Sequence, residues 1–564
     1  MTTAAASPSP PWWRRRLLLR PRLWVGLAAM GSALAWAGAF PRVGAAPLVF
    51  VFAVPLLLAA RLPVSRRCWR FACLGSGVLG WVLTLLWLRF VAPPFGLAGV
   101  LGLGVLLGLF SGLWLWWAGR VFAAKASAST FARIAAWLGL AVGWVALEWV
   151  RSWFLTGFPW APAAAALWQA PALLQLAAWV GQGGVSFAIV FTNLALAHAV
   201  IALPGRLRDG PELRPLHLTT ALRPTPELAL VALWVAGSLG VFAQTAGSSG
   251  RAVPLARATV VQPWMPAELN LTAERRAEFF RTLLDLTVAA AEAHPDSDFI
   301  LWPEAAVPYW LRQDGADGVR PVLRQLAQTV GQPVLHGNTL ARGNDDSLSW
   351  VNGLFLLQRN GEVAETHYAK RRLVPFGEYV PLRPVFGWLG RLIDHLPADT
   401  QPGTEVQLLD VPTANGTLRV GALICYEDIF PPLGYEAATG ADLLVVVTND
   451  AWYGTGGGAY QHAMHSVLRA VETRTPLLRG GNHGWSGWID EWGRIRNVLT
   501  DETGSIYTQG YAAFAVQADA RFAGEARGPA GAAWFTGACV LGAVATLLRR
   551  RRGHFPAPYW KSAP

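Results

Sequence analysis

The chain has 564 residues, of which 53% are hydrophobic and 15% charged, with a formal net charge of +12. That balance excludes an ordinary soluble protein of this length and implies membrane residence. The positive charge is no argument for a nucleic-acid partner, because the arginines flank apolar runs, as they do in the cytoplasmic loops of membrane proteins.

A bilayer core about 30 Å thick needs roughly 20 apolar helical residues to cross it. In chain order the candidate spans are 23–40, 45–60, 71–91, 96–118, 131–150, 178–203, 227–244 and 530–548. Arg14, Arg15, Arg16, Arg20 and Arg22 precede the first, which reads as an uncleaved helix because further spans follow. Arg61, Arg66, Arg67 and Arg70 follow the second span, while Arg120, Lys125 and Arg133 separate the fourth from the fifth. Arg206, Arg208, Arg214 and Arg223 separate the sixth from the seventh, and Arg549 to Arg552 close the eighth. The alternate loops carry only Arg42, Arg89 and Arg151, so both termini are expected in the cytoplasm and the segment between spans seven and eight outside it. The expected division is a basic N-terminus 1–22, a seven-helix membrane bundle 23–244, a water-facing domain 250–528, a last span 530–548 and a basic tail 549–564.

Within 250–528, short β-branched runs alternate with amphipathic patterns, the signature of an α/β domain. Strands are predicted at Ala258 to Val261, Phe299 to Trp302, Val334 to Gly337, Gly353 to Gln358, Arg419 to Cys425 and Leu443 to Thr448, with helices at 273–293, 320–330 and 459–473. Glu304, Cys425 and the pair Asn449–Asp450 each follow a strand, and the carboxyl ends of strands are where α/β sheets bind ligands.

Cys425 is the only cysteine of this domain, with Cys68, Cys73 and Cys539 in the apolar parts, so no disulfide framework exists there. A lone thiol is either a buried small hydrophobe or a nucleophile. Of the 47 Lys and Arg residues only Lys125, Lys370 and Lys561 are lysines, and Lys370 is the only one in the domain. Its retention beside Arg371 and Arg372 suggests a need for a compact ammonium.

Glu304 in Trp302-Pro-Glu304, Lys370, and Cys425 in Ile424-Cys-Tyr-Glu427 follow the order of the Glu-Lys-Cys triad of the nitrilase superfamily. With Leu373-Val-Pro-Phe-Gly-Glu-Tyr-Val-Pro381, Thr448-Asn-Asp-Ala-Trp-Tyr453, Glu148-Trp-Val-Arg151 and Gly157-Phe-Pro-Trp160, the chain resembles the bacterial apolipoprotein N-acyltransferase family. The resemblance implies a multi-span bundle in the cell inner membrane, carrying a periplasmic nitrilase-like α-β-β-α sandwich. It implies ping-pong transfer of an acyl chain from a membrane phospholipid, through a Cys425 thioester, to the α-amino group of a diacylglyceryl-modified apolipoprotein. Glu304 is then the general base and Lys370 the oxyanion donor, with the Tyr426 N–H beside it. Glu378, Tyr426 and Glu427 support them, Glu378 by orienting Lys370. The plainer readings are an arginine salt bridge for Glu378 and helix-dipole charge for Glu427.

The chain departs from the family pattern at Gln262-Pro-Trp-Met-Pro266, at Leu271 and at His483, positions expected to touch substrate. His462 and His465 form an H-x-x-H pair, read as packing or hydrogen bonding rather than metal ligation. No metal or cofactor is called for. Gly454 to Gly458 with Trp452 and Tyr453 suggests a lid, and Ser152 to Pro162 a lipid entrance rich in interfacial aromatics. The competing readings are a membrane-tethered nitrilase-like amidase, with water as acceptor, and a transporter or scaffold with an inactive outer domain. Against the latter, Glu148 is the main ionisable residue within the spans.

Overall fold

The computed structural model describes residues 20–91, 95–208, 225–247, 249–265, 271–343, 348–386, 400–522, 528 and 530–551. Arg14, Arg15, Arg16, Arg214, Arg223, Arg552 and Lys561 lie outside them.

The apolar part contains helices α1 (Pro21–Gly38), α2 (Val54–Ala59), α3 (Arg66–Thr84), α4 (Phe95–Lys125), α5 (Thr130–Arg151), α6 (Ala177–Arg208) and α7 (Pro226–Ala243). Four helical stretches, 96–125, 130–151, 177–203 and 226–243, are long and apolar enough to cross a membrane. Polar caps set several helix starts: Ser65, Ser129 and Thr225 accept from the backbone N–H three residues on. The expected second span is not one helix. It is a 3-10 turn, Ala46–Phe50, followed by the six-residue α2. Backbone groups freed by such a break need partners inside an apolar bundle. Asn193 supplies them, accepting from Ala53 N–H at 2.9 Å and donating to the Val49 carbonyl at 2.9 Å.

Helices α3 and α4 approach closely along small residues. A side chain at Gly108 would meet the Val78 backbone at 2.4 Å, and one at Gly112 the Leu74 backbone at 2.7 Å. The buried ionisable groups here exceed the single glutamate read from sequence. Glu227 of α7 is fully buried and paired with Arg133 of α5. Helix α6 is interrupted at Gly181, whose φ of 64° is left-handed.

The remainder forms two stacked sheets. One has the order β13-β1-β2-β4-β5-β6, built from β1 (Ala252–Gln262), β2 (Phe299–Leu301), β4 (Val334–Arg342), β5 (Ser349–Leu357), β6 (Val363–Ala369) and β13 (Gly510–Asp519), with β3 (Leu311–Arg312) beside β4. The other has the order β12-β11-β10-β9-β8-β7, from β7 (Leu408–Thr413), β8 (Gly416–Ile424), β9 (Leu443–Asn449), β10 (Leu477–Asn482), β11 (Gly487–Ile489) and β12 (Ile495–Val498). Inward-facing Val260, Leu301, Leu335 and Leu354 of the first sheet share one core with Val420, Ala422, Val446 and Leu478 of the second. Helices α8 (Ala273–Ala293) and α9 (Val319–Val330) cover the first sheet, α10 (Pro431–Ala438) and α11 (Gly458–Thr473) the second. This is the α-β-β-α sandwich the resemblance implies. Helix α12 (Ala530–Arg551) returns to pack on α5 and α6.

Bundle and sandwich meet through α11. The Gln461 side-chain amide donates to the carbonyls of Pro41 and, at 3.0 Å, of Thr84. Its oxygen accepts from the Trp87 and Trp160 indoles at 3.0 and 2.9 Å.

Candidate active site

The strand β8 ends at Ile424, and Cys425 turns the chain with a left-handed φ of 56° into the short 3-10 turn Cys425–Ile429. For a residue with a side chain this conformation costs about 1–3 kcal/mol and persists only where neighbours enforce it. Glu427 enforces it from one side. Its fully buried carboxylate accepts from Ile424 N–H at 2.8 Å and the Tyr368 hydroxyl at 2.9 Å. It also accepts from Arg371 and Arg372 N–H at 2.7 and 2.9 Å. The chain leaving Lys370 is thereby fastened to the Cys425 turn. This is a brace between two segments, not the helix-dipole role weighed for Glu427. Burial raises its pKa, against the pull of the amides.

Glu304 and Lys370 converge on the same place, from the loop after β2 and the end of β6. The Lys370 ammonium, 1% exposed, donates to Glu304 Oε1 at 3.0 Å and to Glu378 at 3.1 Å. Glu304 Oε2 accepts from Asn449 N–H at 3.0 Å. Glu378 is held by Val374 N–H at 2.8 Å, so it partners Lys370 and not an arginine. Tyr426 donates its hydroxyl to the Leu373 carbonyl and lays its ring 5.9 Å from the Lys370 nitrogen. Burial disfavours the ammonium, but Glu304, Glu378 and Cys425 outweigh it and raise the Lys370 pKa well above its ordinary value. For Cys425, burial and then the Glu304 carboxylate raise the thiol, with Lys370 opposing. Burial and the Glu304 carboxylate thus both favour the thiol over the thiolate at Cys425.

Sequence reasoning missed Asn352. Its amide donates to Glu304 Oε1 at 2.8 Å and Glu378 Oε1 at 3.1 Å, spacing the two carboxylates that share Lys370. The available signal was a polar residue interrupting an apolar strand, Trp350-Val-Asn-Gly-Leu.

Asn449 closes the turn after β9, accepting from Ala451 N–H at 3.3 Å and from the Asn482 amide at 2.9 Å. Two of the departures from the family pattern meet: the Trp264 ring lies 3.8 Å from that of His483. Of the entrance segment, Trp153, Phe154 and Leu155 are exposed, whereas Trp160 is buried against Phe158 and the Thr156 carbonyl accepts from Arg372. The glycine-rich loop is docked on the bundle: a side chain at Gly454 or Gly456 would meet the Phe90 ring at 2.8 Å. Tyr453 is wedged among Trp87, Trp160 and His462. Among the described residues no group of three or more His, Cys, Asp or Glu is arranged as a metal site.

An α-β-β-α sandwich presenting Cys, Glu and Lys at strand ends, joined to an apolar helical bundle, defines a membrane protein of the carbon-nitrogen hydrolase class. Residues 257–511 match the carbon-nitrogen hydrolase family, and residues 32–195 match the apolipoprotein N-acyltransferase N-terminal domain. The chain is 30% identical over 476 residues to the apolipoprotein N-acyltransferase of Geobacter metallireducens, covering 84% of this chain and 86% of that one. It is 32% identical over 500 residues to that of Allorhizobium ampelinum, covering 84% and 87%. With that of Azotobacter vinelandii it shares 33% identity over 468 residues, covering 80% and 82%. The chain belongs to the apolipoprotein N-acyltransferase family.

Proposed function

We propose that the protein transfers an acyl chain from a membrane phospholipid to the α-amino group of a lipoprotein's diacylglyceryl-cysteine, through a thioester on Cys425. The observation that carries this reading is the buried Glu304–Lys370 pair at 3.0 Å, set beside the left-handed turn that presents Cys425.

Glu304 takes the Sγ proton, and the thiolate attacks the ester carbonyl of the phospholipid. Lys370 and the Tyr426 N–H stabilise the oxyanion that forms, and one such donor is worth about 3 kcal/mol of barrier. The tetrahedral species collapses by breaking the bond to the glyceryl oxygen, which receives the proton from Glu304 and leaves as a lysophospholipid. The acceptor amine then attacks the thioester carbonyl and gives a proton to Glu304. The amide forms, the Cys425 thiolate departs, and it recovers its proton. Two modest barriers replace one high one. Glu378 and Asn352 hold Lys370 and Glu304 at their spacing throughout.

The arginine asymmetry of the loops supports an inner-membrane protein with both ends cytoplasmic, spans within 23–244 and 530–548, and the catalytic domain 250–528 in the periplasm. A periplasmic site meets both lipid-anchored substrates at the outer surface of that membrane. The exposed Trp153, Phe154 and Leu155 suit a lipid entrance there. The reading is tested with purified enzyme, phospholipid and a diacylglyceryl-cysteine peptide. The expected product is a peptide carrying one amide-linked acyl chain, with equimolar lysophospholipid. Free fatty acid in place of acylated peptide would mean that water is the acceptor and the enzyme a hydrolase of the lipid ester.

A further inference from the structure

Beside the Cys425 turn, and separate from the Glu304–Lys370 pair, four fully buried charged side chains from four elements close on one another. They are Asp428 of the 3-10 turn, Asp450 after β9, His462 of α11 and Arg479 of β10. Arg479 donates to Asp428 at 3.0 Å and to Asp450 at 3.4 Å. His462 Nδ1 lies 2.9 Å from Asp450 Oδ1. Its Nε2 lies 3.2 Å from the Cys425 carbonyl oxygen, with Asp428 Oδ1 also at 3.2 Å.

Each ring nitrogen thus faces only oxygens that accept. A neutral imidazole has one N–H and would aim its lone pair at an acceptor on the other side; only the imidazolium satisfies both contacts. Charge balance agrees. Two carboxylates against Arg479 alone would leave a net negative charge in a dry interior, whereas a protonated His462 makes the cluster neutral. The remaining groups facing the ring are His465 of the same helix and the rings of Trp160 and Tyr453. Burial and Arg479 oppose protonation of His462, but Asp428 and Asp450 prevail and its pKa lies above the ordinary value. His465, whose ring nitrogens have no hydrogen-bonded partner among the described residues, is pushed by burial down to about 3. The two histidines of the H-x-x-H pair differ in charge and in role.

We propose that His462, as a buried imidazolium, is the positioning residue of the nucleophile: its Nε2–H donates to the Cys425 carbonyl and locks the left-handed turn from which the thiol projects. Glu427 clamps the peptide that precedes Ile424 and His462 the one that follows Cys425. The inference rests on Cys425 being the nucleophile.

The test compares wild type with His462→Leu, His462→Gln and His465→Met in detergent, following Cys425 alkylation against pH and single-turnover acylation by phospholipid. His462→Leu is expected to slow Cys425 alkylation at each pH, and acylation with it, by about tenfold, because one pKa unit is a tenfold change in thiolate. KM for the lipid stays the same, His462→Gln recovers part of the loss, and His465→Met leaves the profile in place. A folded His462→Leu with the wild-type profile and rate overturns the proposal. Should the variants not fold, wild-type enzyme with 15N-labelled histidine decides. At about pH 8, where an ordinary histidine is neutral, one ring must still carry both protons, and its absence overturns the proposal. A fully active Cys425→Ala would sink the nucleophile reading instead, with the imidazolium signal intact.

Discussion

Two charged clusters adjoin the Cys425 turn, a front one and a back one, and they are built differently. In front, two carboxylates, Glu304 and Glu378, share one ammonium, Lys370, and an amide, Asn352, keeps them apart. Behind, two carboxylates are matched by two cations, Arg479 and His462, with every member fully buried. In the proposed mechanism the unbalanced front is the cluster that exchanges a proton with the sulfur, through Glu304. A balanced back has nothing to exchange and serves to hold backbone. Chemistry and scaffolding are thereby divided between two clusters within one turn of chain.

Breaking the front should abolish turnover while sparing the fold. Cys425→Ala is expected to leave no measurable acyl transfer, and Glu304→Gln to slow it by about 10²–10⁴-fold, the usual worth of a general base. Thermal melts of both should stay near wild type; a collapse of the melt would mean that the front is structural too. Breaking the back should do the reverse first. Arg479→Ala strands Asp428 and Asp450 in the interior and is expected to cost about 3–5 kcal/mol, read by denaturant unfolding.

Glu427→Gln tests the brace between the two sides. It keeps the shape but loses charge-assisted acceptance from Ile424, Arg371 and Arg372 N–H, so a loss of about 1–3 kcal/mol is expected, with acyl transfer falling as the turn loosens. The smallest effect is in pH. His462 has a folded pKa above its unfolded one, so its contribution to stability is full below about pH 6.5 and fades as pH rises through the folded value. Asp428 and Asp450 are lowered in the fold despite burial, since His462 and Arg479 overcome it. Their contribution is full above about pH 4 and is lost on acidification. Melts of His462→Leu should lose the alkaline limb of this profile and keep the acid one.

The front of the site was legible because its residues sit in dense local motifs: Trp302-Pro-Glu304, Lys370 to Pro381 and Ile424 to Glu427. The six strands read from β-branched runs all lie where β1, β2, β4, β5, β8 and β9 run. Strand β10 escaped because Gly480 and Gly481 dilute its pattern. A side chain at Gly480 would stand 3.2 Å from Leu301, so close packing of the sheets demands glycine where β-propensity argues against a strand. The second span was read as continuous because composition does not report where Asn193, 140 residues away, rescues a broken backbone. The back cluster was illegible for the same reason. His462 was rightly given a hydrogen-bonding role, yet its partners come from Asp428 and Asp450 on other elements, and only the fold brings them together.

The thioester on Cys425 is tested most directly by mass spectrometry of the Cys425 peptide after the purified enzyme meets phospholipid without acceptor. One acyl mass is expected on that peptide, released by hydroxylamine, discharged by a diacylglyceryl-cysteine peptide and absent in Cys425→Ala. An acyl transfer reaction that proceeds with no acyl mass on Cys425 would contradict the thioester.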